Sequence, residues 1–112
     1  MSKYIYVNHI AFKQISNGHK TIEGRINRGL FKNLQNGEII HFICKKTKEK
    51  YSAIILNIKY YNNIYEFLKK ENLQNIIHNC KGYNHAIQIY KKYYSNETLN
   101  NNSFLAIHFT NN

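Results

Sequence analysis

The chain predicts one α+β domain, a sheet with helices packed around it. Period-two alternation of apolar residues marks several short segments, and three-and-four spacing marks the segments between them. A length of 112 residues suits one core and not two, and a hydrophobic fraction of 43% fits a globular fold.

Residues 3–8 alternate as a first strand, with Tyr4 and Tyr6 on one side and Ile5 and Val7 on the other. From His9 the spacing changes. Ile10, Phe12 and Ile15 share a helical face, and Asn17-Gly18 supplies the left-handed stop on which helices end. Residues 21–27 read as the next strand, broken by Gly29, and residues 30–34 read as one helical turn before the tight turn Asn36-Gly37. Residues 38–44 and 51–60 are strands with apolar residues on both faces, joined by the charged loop KKTKEK; such strands belong in the middle of a barrel or covered sheet.

Asn63-Ile64-Tyr65-Glu66 resembles a capping box, opening a helix with Ile64, Phe67 and Leu68 inside, and residues 73–78 form a second short helix. Residues 80–83 are a loop, after which Asn84 caps the last helix. There Ala86, Ile87, Tyr90, Tyr93 and Tyr94 follow the spacing of a core face, leaving Gln88, Lys91 and Lys92 outside. The run SNETLNNN is a polar loop, and residues 104–109 close the fold as a strand with Leu105, Ile107 and Phe109 on one face.

A formal charge of +10 and a pI near 9.6 make a polyanion the expected partner, with RNA and DNA ahead of a membrane surface. The abundance of Asn, Ile, Lys and Tyr also matches an AT-rich coding bias, so codon supply accounts for part of the lysine. No apolar run approaches the ~20 residues of a membrane helix, and the start MSKYIYVNH lacks a signal-peptide core, so the expected compartment is cytoplasm or nucleus. Cys44 and Cys80 are read as reduced thiols. The spacing of His78, Cys80 and His85 fits no standard zinc pattern, and a chain without aspartate is poorly equipped for a two-metal nuclease. No metal and no cofactor are expected.

The chemistry concentrates in residues 16–29, SNGHKTIEGRINRG, which hold both arginines of the chain, Arg25 and Arg28. Arginine offers a planar fork of donors that suits a carboxylate, a phosphate or a base edge. With residues 21–27 extended, Ile22 and Ile26 lie on one face with Gly24 between them; Thr21, Glu23, Arg25 and Asn27 lie on the other. Lys20 stands at the entrance of this row. Its bland alternative is a salt-bridge cluster that only braces the strand. Tyr83, beside Lys81 in a glycine loop, is the best tyrosine for stacking on an unpaired base; Lys45, Lys46, Lys48 and Lys50 surround a hairpin tip suited to phosphates.

Gly18-x-Lys20-x-x-Glu23-x-Arg25 resembles the G-x-K-x-x-E-x-R signature of the ASCH domain. The resemblance extends through Phe67-Leu68, Glu71-Asn72-Leu73, the 86–94 helix and the closing strand, nearly the whole chain. It implies a small PUA-like β-barrel of about five to six strands with flanking α-helices, a nucleotide-sized cleft beside the motif, and roles connected with RNA. One branch of the family hydrolyses the acetyl amide of N(4)-acetylcytidine with a lysine, a threonine three positions later and a glutamate from a later helix. Lys20 matches that lysine and Glu71 the glutamate, but Glu23 stands at the nucleophile position. A carboxylate there cannot repeat hydroxyl attack; it would activate water, with Thr21 a neighbouring hydroxyl.

The leading expectation is therefore an RNA- or nucleotide-binding domain whose cleft is lined by Lys20, Glu23 and Arg25, with Asn27, Arg28 and Tyr83 contributing contacts. A second is a hydrolase on the same cleft, acting on a modified nucleoside or as a metal-independent ribonuclease. Its candidate catalytic residues are Lys20, Thr21 and Glu23, with Glu71 orienting Lys20. A third is a protein-interaction adaptor with an unknown partner, in which the ion cluster only holds the fold.

Overall fold

Capping side chains decide where the helices begin. In the computed structural model, which describes residues 2–110, β1 (Ser2–Val7) ends at Asn8, whose Oδ1 accepts from Ala11 N at 2.8 Å to open α1 (His9–Ser16). Asn63 Oδ1 accepts from Glu66 N at 3.0 Å to open α2 (Ile64–Lys70), and Glu66 Oε1 accepts in return from Asn62 N at 3.2 Å. The expected box is thus present, with its return bond one residue earlier. Asn72 opens α3 (Leu73–Ile76) in the same way. For α4 (Tyr83–Tyr90) the expectation needs correcting: Gly82 is the N-cap and Asn84 lies inside the helix.

The run read as a polar loop folds instead into α5 (Asn96–Asn101). Ser95 Oγ accepts from Thr98 N at 3.1 Å, and the single apolar residue of the segment, Leu99, is buried beneath it. One cap and one anchor outweigh the poor helix propensity of the asparagines.

Strands β2 (Ile22–Ile26), β3 (Ile39–Cys44), β4 (Lys50–Tyr61) and β5 (Phe104–Phe109) join β1 in a curled five-stranded half-barrel sheet, ordered β1-β3-β4-β5-β2. A 3-10 turn (Gly29–Asn33) follows β2. β1 runs parallel to β3, and the other pairs are antiparallel. The 12-residue β4 is shared: Lys50–Ile54 pair with β3, and Ile55–Tyr61 pair with β5 across a register shift between Ile55 and Asn57. A bulge of this kind bends the strand and increases its twist, which carries the sheet around the corner. β1 and β2 are left as its two edges.

Two apolar clusters fill the fold. Ile5, Val7, Ile40, Phe42 and Ile55 pack with Phe12 and Ile15 of α1; Ile22, Ile26, Phe67, Tyr90 and Leu99 join the second cluster under the later helices. β5 faces both, with Leu105, Ile107 and Phe109 turned to the first and Phe104 and Ala106 to the second. Burial on both faces therefore belongs to β5. The expectation for β3 and β4 is corrected, because on the face where Ile39, Ile54 and Leu56 lie they remain exposed, whereas every residue of β5 from Phe104 to Ile107 is buried. Cys44 and Cys80 are buried and unpaired.

Candidate functional site at the seam

Extended backbone in β2 sends Glu23 and Arg25 to one side and Ile22, Gly24 and Ile26 towards the second cluster. The divide is as the alternation predicts. Its outcome differs, since the polar side turns into the molecule: Lys20 and Glu23 are only 5% and 6% exposed. An ideal Cβ on Gly24 would lie 2.7 Å from Phe67 Cζ and from Tyr90 Oη, so glycine is what allows the strand to approach α2 and α4.

Four donors surround the Glu23 carboxylate. Lys20 Nζ lies 3.3 Å and Gly24 N 3.1 Å from Oε1, while Arg25 Nε and Nη2 donate to Oε2 at 3.3 and 3.1 Å. Burial alone pushes this carboxyl up, but Lys20 and then Arg25 outweigh it and hold the group below its ordinary value of 4.5. Glu23 is thus an ionised, saturated counter-ion between two cations. Lys20 also donates to the Ile76 carbonyl at 2.7 Å, which fixes its amine at the end of α3.

Arg25 reaches further. Its Nη2 donates at 3.1 Å to the carbonyl of Tyr6 in β1, and its guanidinium carbon sits 5.2 Å from the Phe31 ring centroid. Since β1 and β2 are opposite edges of the sheet, this side chain ties the seam of the half-barrel. Beside the tie opens a hollow of about 520 Å³ in which Lys20, Glu23 and Arg25 are joined by Lys45, His85 and Lys92. Tyr6 and Tyr93, 54% and 58% exposed, stand at its wall, and Asn8 Nδ2 donates to Tyr93 Oη at 2.7 Å. Four fixed cations therefore face one carboxylate that is already compensated, so the hollow favours an anion.

The other sequence candidates fall elsewhere. The Glu71 carboxylate accepts from the Tyr61 hydroxyl, and its Oε1 lies 3.1 Å from His108 Nε2. The expectation that Glu71 orients Lys20 is corrected: the short turn between α2 and α3 holds Glu71 against β4 and β5, and Ile76 takes its place. Thr21 works through its backbone, donating to Asn75 O at 2.9 Å and accepting from Phe109 N at 3.1 Å; it does not line the hollow. Nor do Asn27, whose N–H donates to Ser103 O, or the exposed Arg28, the N-cap of the 3-10 turn. Tyr83, the first residue of α4, lies beneath Lys69 and packs against the second cluster, away from the hollow.

Residue spacing does not single out Lys45, Lys92 and Tyr93 for this place. Lys45 arrives there because β3 runs parallel to β1 and its N–H donates to Val7 O at 2.9 Å, a pairing with no local signal. Tyr93, expected in the core, is released to the mouth because α4 stops at Tyr90. His85 accepts from Lys81 N at its Nδ1, 3.0 Å away, leaving the ring proton on Nε2. Among the described residues no three His, Cys, Asp or Glu side chains converge, and no helix is long and apolar enough to cross a membrane.

The family profile for the ASCH domain matches residues 5–111. Among solved structures, the hypothetical protein PH0355 is similar at 25% identity and a TM-score of 0.85, with 97% of each chain covered. Protein PF0455 from Pyrococcus furiosus is similar at 25% identity and 0.73, over 97% of this chain and 96% of that one. A point mutant of ZmASCH from Zymomonas mobilis shares the fold at 16% identity and 0.68, over 96% of this chain and 68% of that one. No curated protein gives a significant sequence match.

Proposed function

Because this chain belongs to the ASCH domain family, we propose that it binds RNA or a nucleotide in the seam hollow, with Lys20, Glu23 and Arg25 as its floor. Family membership supports a general RNA-binding or related function. The particular reading rests on one observation: a cation–anion–cation array, buried at Lys20 and Glu23 and half-buried at Arg25, lines a ligand-sized hollow whose mouth carries further cations and exposed tyrosines. Buried ion arrays stabilise a fold poorly compared with apolar packing, which makes a ligand the better reason to keep one here. Lys20 has three donor protons and two acceptors among the described residues, leaving one for a base carbonyl or phosphate oxygen. Exposed Tyr6 and Tyr93 supply faces for stacking.

The hydrolytic alternative has less support. A carboxylate held below its usual range by Lys20 and Arg25 is a weak base towards water, and neither Thr21 nor Glu71 lines the hollow. The test is fluorescence anisotropy with a labelled single-stranded RNA. Lys20→Met keeps the stem and removes the charged donor, and should weaken binding about tenfold or more. Lys45→Ala, at the exposed rim, should weaken it without unfolding the protein. RNA affinity unchanged in both variants would leave the adaptor reading in possession.

A further inference from the structure

A second hollow, of about 320 Å³, adjoins the first, and the two share Tyr6, Arg25 and Lys45. Its remaining wall is Tyr4, Ile5, Leu30 and Phe31, aromatic and aliphatic surface with no acid. The two differ in chemistry: the first has a polar floor able to read hydrogen-bonding groups, and the second offers surface suited to stacking any base. The cations stand where they meet. Arg25 lies over the Phe31 ring, Lys45 is exposed, and Lys48 Nζ approaches the shared Tyr6 ring at 5.9 Å.

From this juxtaposition we propose that the seam takes two consecutive nucleotides of a single strand, one in each hollow, with the phosphodiester between them at Arg25 and Lys45. The inference rests on the RNA-binding reading and sharpens its ligand class from RNA or a nucleotide to a single-stranded oligonucleotide. Alternation of polar floor, cationic divide and aromatic wall matches the order base, phosphate, base along a strand. A free nucleoside would leave both the divide and the second wall unused. Tyr4 also stacks on His41 with ring centroids 4.6 Å apart, which holds its exposed ring in place for a partner.

Calorimetric titration of the intact protein with each of the four nucleoside 5′-monophosphates and the matching dinucleotides tests this. The dinucleotide of the preferred base should bind about tenfold tighter than its monophosphate, the worth of one added stacked base. Tyr4→Ala combined with Leu30→Ala, both exposed positions, should remove most of that gain and leave monophosphate affinity within about twofold. Leu30→Ala alone provides a milder variant if the pair lowers stability. Equal affinity for the two ligands, or a gain that survives both substitutions, overturns the two-hollow proposal and leaves RNA binding intact. Failure of both ligands to bind overturns the two readings together.

Discussion

At the scale of single residues, Glu23 decides how the site behaves. Its carboxyl, lowered from 4.5, adds stability that is fully present above the unfolded value and is lost as pH falls through the folded one. Glu23→Gln leaves Lys20 buried, and Arg25 partly buried, without an anion, so at neutral pH it should cost about 3–5 kcal/mol. Urea unfolding at a series of pH values should show the gap between wild type and variant closing as the pH drops below 4.5. A gap independent of pH would mean that the carboxylate is not the group holding the array. Gly24 is the second sensitive residue. Gly24→Ala pushes a methyl group into Phe67 and Tyr90 and should lower stability by about 1–3 kcal/mol, read as a reduced thermal midpoint. Period-two alternation does reveal which side chains share a side of β2, and Glu23 and Arg25 are indeed hydrogen-bonded there. What alternation cannot report is that this side faces an interior hollow, because that depends on α3 and on β1 at the other edge of the sheet.

Among the elements, those with a strong local pattern are the legible ones. β5 is visible from Phe104-Leu105-Ala106-Ile107, and α1 from Phe12, Ile15 and the Asn17-Gly18 stop, although Ile10, expected on the same face, is exposed. α5 escapes such reading because one leucine among asparagines gives no periodicity, and the second cluster supplies its stability from outside the segment. Leu99, 1% exposed, should accordingly be an anchor: Leu99→Ala is expected to lower the unfolding free energy by about 2–5 kcal/mol in urea titration. A solvated loop would show almost no change. The end of α4 is equally silent, since neither glycine nor proline follows Tyr90, and the displacement of Tyr93 to the mouth follows from that stop.

For the whole molecule, the charge of +10 is a property the sequence displays outright, but its distribution is not. Sheet topology brings Arg25 and Lys45, and the end of α4 brings Lys92, around one hollow. RNA affinity should therefore fall with salt, with a log–log slope of about −2 for three phosphate contacts to a single strand. Lys45→Ala should make that slope shallower by roughly 0.7. Anisotropy titrations between low and physiological salt measure both, and a flat response would remove counterion release from the account. Fold and family were legible because spacing and motif are local; the two-hollow geometry was not, because it is made where distant strand margins meet.

Among the described residues, backbone pairing leaves β1 and β2 as outer margins, and the Arg25 guanidinium spans them. The wall is zipped elsewhere by hydrogen bonds between backbones, but at this line a side chain buttons it. Losing that one contact would leave every strand pairing shut, so the doorway and the frame are separate pieces of engineering.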